Sequence, residues 1–337
     1  MNAVKPIWQE LIEYARWTPS PHNVQPWRMK ILSKNEAHLY YDSSRLLREN
    51  DPTSEYTILG FGMFIESLDI AARAFGQKIE AIHEAEERLD YNSPSPKLFA
   101  RLFLSEAASQ GDDYDPDLIR KRRTSRLHYD GKRVADSILN SFSNMASESG
   151  HTFTPTSDKT LLKFIIGLNS ITLFSDLEND KGRDELRGWI RPNRKLASAK
   201  RDGLWSQCMR FPGWVMKNFF FHHEWFHASG IRKILGWVYD RSMKGTATVA
   251  WISGAFGSRS DCVAAGRLMQ RLWLEATKHN VYFHPFGSLI SNPESNRMFL
   301  NGIGFNEEKE KLWFLLRLGY SSEPPRSFRL RTEEILL

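Results

Sequence analysis

The sequence predicts an α+β fold made of two tandem halves, with a helical insertion in the second. Three observations predict it. A long helix, apolar on nearly every face, occurs twice, over "TSEYTILGFGMFIESLDIAARAFG" and over "DCVAAGRLMQRLWLEATKHN". Each copy is followed by a strand-like run, "KLFARLFLSE" and "KLWFLLRLGY". The order short helix, strand, long apolar helix, strand holds in residues 1–111 and again in 112–337, across the polar linker "AASQGDDYDPD".

Residues 5–17 read as a helix that stops at Thr18-Pro19-Ser20-Pro21, because proline lacks the N–H that would continue it. "RMKIL" and "AHLYYD" read as two short strands of a hairpin. In the first long helix Phe61, Phe64, Ile65, Leu68, Ala72 and Phe75 fall at helical spacing. The second half opens with a helix, a basic turn and another helix over "PDLIRKRRTSRLHYDGKRVADSILNSFSNMASESG", then the strand "HTFTPT". In the second long helix Ala265, Leu268, Met269, Leu272 and Ala276 share one stripe. Residues 205–245 have no counterpart in the first half. Rich in aromatic and basic residues, they read as a lid over a site, a packing insertion or an interfacial helix pair.

Composition narrows the function. A hydrophobic fraction of 41% with 12% aromatics fits a folded globular chain. Net charge +6 comes from 46 basic residues interspersed with 40 acidic ones, a mixed surface that gives no reason to expect nucleic-acid binding. Two cysteines, Cys208 and Cys262, are too few for a disulfide framework or a cysteine-rich zinc site and point to a reducing, cytoplasmic compartment. No signal peptide and no membrane-spanning run are expected.

Four stretches carry side chains fit for chemistry. "PSPHNVQPW", Pro19 to Trp27, is an irregular loop whose Asn23 and Gln25 amides can donate and accept, either reading the edge of a flat heteroaromatic ring or capping a helix-to-strand turn. "RKRRTSR" places Arg122, Thr124 and Arg126 at alternating positions, a solvated basic face or two guanidiniums and a hydroxyl converging on a phosphate. "FHPFGSL" ends the second long helix, and Gly287 admits close approach to the backbone. "PPRSFRLR" adds Arg326 and Arg329 as possible anion contacts. A fifth stretch, His223-Glu224-Trp225-Phe226-His227, spells the H-E-x-x-H string of zinc hydrolases, with Gly230 in place for the extended form. Lys233 occupies the third-ligand position, and an ammonium has no lone pair to give, so the string reads as an aromatic lid helix and no metal is expected.

Together these motifs resemble the FMN-dependent nitroreductase superfamily, in particular its fused, Acg-like branch. The family's "RRSxR" opening stands here as Arg122-Arg123-Thr124-Ser125-Arg126, and its "APSxxNxQPW" as Thr18 to Trp27. The closing "LRLGYP" strand stands as "LRLGYSSEPPRSFR", with Ser321 in place of the proline. "LRENDPTSEY" and "RDGL" (Arg201 to Leu204) are similar to features of the Acg-like branch, so the resemblance covers nearly the whole chain.

The resemblance implies a nitroreductase-like fold whose halves form an intramolecular pseudo-dimer, whether the chain is a monomer or a homodimer. The first half has the "PSxxNxQPW" loop without an arginine cluster, and the second has the cluster with "SNMASESGHTFTP" where its loop should be. One FMN per chain, lying between the halves, is therefore expected. Carried over, Arg122, Thr124, Arg126, Arg326 and Arg329 would hold the phosphate. Ser20, Pro21, Asn23 and Gln25 would line the ring, and Pro285, Phe286, Gly287 and Ser288 would pack along it, with a backbone N–H near flavin N5. His223, Trp225 and His227 of the lid would face a small-molecule substrate. The chemistry would be the flavin's, an oxidoreductase reaction with NAD(P)H as a possible electron donor and no side-chain acid or base named. The alternatives are a sequestering FMN-binding protein with a closed lid, and a zinc hydrolase acting through His223, Glu224 and His227.

Overall fold

The structure, a computed structural model, describes residues 6–84, 88–108, 111–222, 229–308 and 310–337. Its first part runs α1 (Ile7–Ala15), β1 (Trp27–Ile31), β2 (Glu36–Tyr41), α2 (Glu55–Arg73), β3 (Gln77–His83) and β4 (Lys97–Glu106). Then come α3 (Asp117–Lys121), α4 (Asp136–Glu148), β5 (His151–Thr156), α5 (Lys159–Glu178), α6 (Asp180–Arg187), β6 (Ile190–Arg191), α7 (Arg194–Lys200), β7 (Leu204–Trp205), α8 (Ser206–Met209), α9 (Gly213–Phe221) and α10 (Ser229–Ser242). The last part is β8 (Thr248–Gly254), α11 (Arg259–Lys278), β9 (Tyr282–Pro285), α12 (Gly287–Ser291), α13 (Pro293–Ile303), β10 (Lys311–Gly319) and α14 (Thr332–Ile335).

This is an α+β architecture with two antiparallel four-stranded sheets, ordered β1-β2-β4-β3 and β5-β8-β10-β9. In each sheet the second strand leads into the long helix and the third returns from it to the far edge, α2 in one and α11 in the other. The first two strands differ in how they are joined. β1 and β2 form a tight hairpin, with Ile31 opposite Ala37, whereas β5 reaches β8 only after residues 157–247. The expected insertion over 205–245 is the latter part of that excursion.

Helix α2 starts where Asp51 accepts hydrogen bonds from the backbone of Thr57 (2.7 Å) and Tyr56 (3.3 Å), satisfying N–H groups that a helix start leaves free. Burial pushes the Asp51 carboxyl up to about 6. Residues Thr57 to Ala72 are all buried, as the apolar pattern requires. Phe75 departs from the pattern. The helix ends at Arg73, Gly76 turns the chain at φ +69°, and Phe75 lies 48% exposed.

The two long helices cross at glycines. A Cβ on Gly62 would lie 2.3 Å from the Val263 carbonyl, and one on Gly266 would lie 2.1 Å from that of Leu59, so only bare backbone permits this approach. Beside the crossing, buried Glu66 accepts from Arg267 at 2.6 Å and from Arg271. One hydrophobic core runs through both sheets, from Trp8, Trp27 and Phe64 to Phe142, Phe283 and Trp313. Within it Trp27 stacks on Phe64 at 4.6 Å. Each such ring stabilises the fold by roughly 1.5–3 kcal/mol through burial alone. After β10 the chain turns back onto the first sheet, where Leu337 N donates to Met29 O at 2.8 Å beside a parallel bridge from Leu336. Among the described residues no helix is long and apolar enough to cross a membrane.

Candidate functional site

The loop between α1 and β1 is built on three non-glycine residues in the left-handed region, His22 (φ 46°), Asn23 (φ 58°) and Gln25 (φ 50°). Left-handed backbone is disfavoured for side chains with a Cβ and persists only where surroundings fix it. Here side-chain hydrogen bonds fix it. Ser20 Oγ accepts from Gln25 N at 3.0 Å. Asn23 Nδ2 donates to Gly203 O and Phe328 O, each at 3.2 Å. Gln25 Nε2 donates to Arg201 O at 2.9 Å, and its Oε1 accepts from Leu330 N at 2.8 Å. The Gln25 amide is thus engaged by backbone at both ends and ties the loop to the 201–203 turn and the C-terminal arm. Asn23 is half committed, with Oδ1 buried and without a partner.

The "RDGL" segment is the other side of that clasp. Asp202 accepts from Arg191 at 2.7 and 3.0 Å and from Arg45 at 3.2 Å, joining the two halves. Gly203 sits at φ +71°, where a Cβ would lie 2.3 Å from Trp189 O.

The arginine run leaves α3 in extended conformation beside β9, with Ser125 N donating to Phe283 O at 3.1 Å and Thr124 bridging to Phe283. Alternation sends odd and even positions apart. Arg123 goes to Glu323 (2.7 Å) and Ser125 to Ser321 (2.8 Å). Arg122 points instead into the interior, 4.6 Å from the Trp273 ring centre, with Nε and Nη1 buried and without hydrogen-bond partners. Arg326 lies 3.3 Å over Trp17 with Nε and Nη2 in the same condition, and Arg329 Nε joins them.

Among the described residues no carboxylate pairs with Arg122, Arg326 or Arg329. Burial followed by repulsion from Arg329, Arg123 and Arg326 drives the Arg122 guanidinium well below its ordinary value. Burial also pushes Arg326 and Arg329 down to about 10. Among the described residues these three cations keep N–H donors without partners, the kind of group that pairs with an anion bearing several oxygens.

Arg126 does not join them. Its guanidinium is lowered mainly by burial, and the groups in its field are Cys208, Tyr239 and Tyr129. It also bears on His22, whose imidazole is held down to about 4 by burial and then by Arg126. The expectation that Arg122, Thr124 and Arg126 meet at one phosphate therefore divides: Arg122 stands with Arg326 and Arg329, and Arg126 stands with His22. Cys208 borders both groups, feeling Arg126 and Arg329.

The 285–288 stretch offers backbone rather than side chain. Phe286 N donates to Leu315 O at 2.8 Å, and its ring is buried in the second core cluster, edge-on to His284 at 5.5 Å. Pro285 closes β9 opposite Leu316, Gly287 is exposed with open space where a Cβ would be, and Ser288 is half-buried.

Sequence reasoning missed a buried polar group behind Arg126. Arg317 is fully buried and donates to His284 Nδ1 (3.0 Å), Thr246 Oγ1 (3.1 Å) and Leu127 O (2.9 Å), with Tyr129 at 4.3 Å. Its signal was an arginine inside the apolar strand "KLWFLLRLG", which a buried strand does not hold without partners. Tyr239 of α10, hydrogen-bonded by Asn169, brings the insertion to the same place. His223, Glu224, Trp225 and His227 lie outside the described residues, as does any test of the lid contacts expected of them. Among the described residues no group of three histidines, cysteines or carboxylates could hold a metal ion.

No family model matches the chain, and no curated protein sequence does. Solved structures with similar folds include a nitroreductase with bound FMN from Bacteroides fragilis, at 18% identity over 61% of this chain and 88% of that one, TM-score 0.32. Iodotyrosine deiodinase bound to FMN and 3-iodo-L-tyrosine is 17% identical over 64% of this chain and 93% of its own, TM-score 0.38. The FMN-dependent nitroreductase NfnB from Mycobacterium smegmatis, in complex with NADPH, is 16% identical over 61% and 86%, TM-score 0.34.

Proposed function

We propose that the chain is an FMN-dependent oxidoreductase of the nitroreductase type, a tandem duplication whose halves, 1–111 and 112–337, hold one flavin between them. The observation that carries this reading is the set of buried, unpaired guanidinium N–H groups on Arg122, Arg326 and Arg329. Three cations against a phosphate monoester dianion is a matched site, and Thr124 adds a hydroxyl at its edge. The strained loop at Ser20, Pro21 and His22 and the open backbone at Gly287 would face the ring from opposite halves. Arg126 would stand near the ring's polar edge. The motif set of the fused, Acg-like branch supports the same reading.

When bound, the flavin supplies hydride transfer at N5, taken from NAD(P)H and given to a small organic acceptor. The protein's own work is binding and exclusion. The arginine set fixes one end of the cofactor, the Gln25 clasp holds the loop in register with the 201–203 turn, and α10 covers the pocket with Tyr239. A tightly closing cover would make the protein an FMN-sequestering one, and Tyr239 beside Arg126 is the observation that keeps this second reading in view.

Anaerobic mixing separates the two. The purified protein is expected to carry flavin absorbance, and NADPH or NADH is expected to bleach it within seconds. A flavin that stays oxidised until dithionite is added supports sequestration. A protein that neither carries nor takes up FMN overturns both.

A further inference from the structure

We infer that His22 is a catalytic residue, the acid that delivers a proton to the acceptor as the acceptor is reduced; this rests on the flavin reading above. His22 is the single titratable side chain of the 18–27 loop, and the loop holds it in left-handed backbone at φ 46°. Strain of this kind clusters where a side chain must be presented rather than packed. The imidazole is half-buried and, among the described residues, makes no hydrogen bond, and its Nδ1 is enclosed without a partner there. Asn23 Oδ1 beside it in the loop is likewise unpartnered.

The charged group acting on His22 is Arg126, from the other half of the chain. The protic groups gathered around Arg126 are not free to cycle. Tyr239 is pushed up to about 12 by burial. Burial also raises Tyr129, whose hydroxyl donates to Ser125 O (3.3 Å) and Tyr282 O (3.2 Å). Burial raises the Cys208 thiol. His284 receives Arg317 on Nδ1 and is driven far down by burial, Arg317 and Arg126. His22 alone combines a free ring with a field that a ligand can change.

That field gives the acid its timing. Burial first, and the charge of Arg126 second, keep the imidazole neutral. Were the negative charge of a reduced flavin to lie against Arg126, the Arg126 part of that penalty would be offset, and His22 would take a proton from solvent more readily. The acceptor, of the quinone class, then gains a hydride from the reduced flavin and a proton on oxygen from the imidazolium. Imidazole and oxidised flavin remain, so atoms and electrons balance.

The test uses holoprotein with His22→Gln and His22→Asn, the latter chosen because asparagine tolerates left-handed backbone. Dithionite reduction of bound FMN without acceptor, followed with a pH indicator at pH 6–7, is expected to take up one more proton per flavin in the wild type than in either variant. Rapid mixing is expected to show re-oxidation by benzoquinone slowed about 10²–10³-fold, the range for loss of a general acid, with reduction by NADPH changed less than about threefold. Equal proton uptake, or unchanged re-oxidation, overturns the assignment. Should both variants lose FMN, NMR titration of the wild-type His22 ring decides. A pKa that rises on adding FMN and dithionite supports the role, and one that does not move overturns it. A wild type that binds no FMN fails the underlying reading instead.

Discussion

The two sheets share one strand order, yet the approaches to their first strands have opposite characters. Before β1 the chain is strained, and His22 is left without a hydrogen bond. Before β5 a turn at Gly150 (φ +74°) delivers His151, whose Nδ1 accepts from Trp313 Nε1 at 3.3 Å. Phe256 stacks on Trp313 at 5.4 Å and 8°, with Tyr56 at 5.8 Å from Phe256. One histidine is held in left-handed backbone with a buried, unpartnered Nδ1; the other is packed into a wall of rings. Two sheets of the same strand order offer two such places, one filled with aromatic side chains and the other left polar. The difference teaches where binding energy is held in reserve: unsatisfied groups lie on the first loop and the arginine set, and satisfied ones lie at the second.

The largest effect should come from removing the reserve. Arg122→Ala with Arg329→Ala is expected to weaken FMN binding by roughly 10²–10⁴-fold, from about 1.5–3 kcal/mol for each charged hydrogen-bonding group. The apoprotein should be no less stable to urea, since it loses buried, mutually repelling cations. Calorimetric titration with FMN beside urea unfolding checks both, and a variant that still binds as tightly as wild type breaks the assignment of the phosphate set. At the other place, Trp313→Ala is expected to cost about 3–5 kcal/mol of folding stability while leaving FMN at one per chain. Two flavins per chain would show that the rings were all that closed the second place.

The two histidines should also differ towards acid. Folded His22 titrates near 4, below the unfolded value of 6.5, so its neutral form is fully compatible with the fold above about pH 6.5. As pH falls from 6.5 to 4 the unfolded chain binds a proton that the folded one refuses. The apoprotein should therefore lose about 3 kcal/mol over that window, and His22→Gln should lose less by that amount. Urea midpoints at several pH values measure it.

Much of this was legible in the residues. The twin apolar helices declared themselves by spacing, and the buried stripe Ala265, Leu268, Met269, Leu272 and Ala276 is as the pattern requires. In "RKRRTSR" Arg123 and Ser125 pair with Glu323 and Ser321. Periodicity could not tell that Arg122 and Arg126 diverge, because that depends on the C-terminal arm bringing Arg326 and Arg329 to one of them. β3 and β8 went unread, the first a short alternating run after the helix and the second a fully buried one after the insertion. The hydrogen bonds of the Gln25 amide were illegible for the same reason. Its partners lie at Arg201 and Leu330, far along the chain, and local sequence carries no sign of them.

The smallest effect comes from that clasp and sharpens the comparison most finely. Gln25→Ala removes an acceptor from Leu330 N and a donor from Arg201 O, leaving backbone groups to find water. The expected cost is about 1–2 kcal/mol of stability. Its distribution matters more than its size. If the loop is held strained by its long-range partners, hydrogen exchange in Gln25→Ala should rise at residues 20–25, 201–203 and 328–331 together, while the turn before β5 stays protected. FMN affinity should fall only a few-fold, because the arginine set is untouched. Faster exchange at the loop alone would mean that the loop holds its own shape and the arm merely covers it. The left-handed run from His22 to Gln25 would then be a local property of its residues rather than a conformation imposed by the second half.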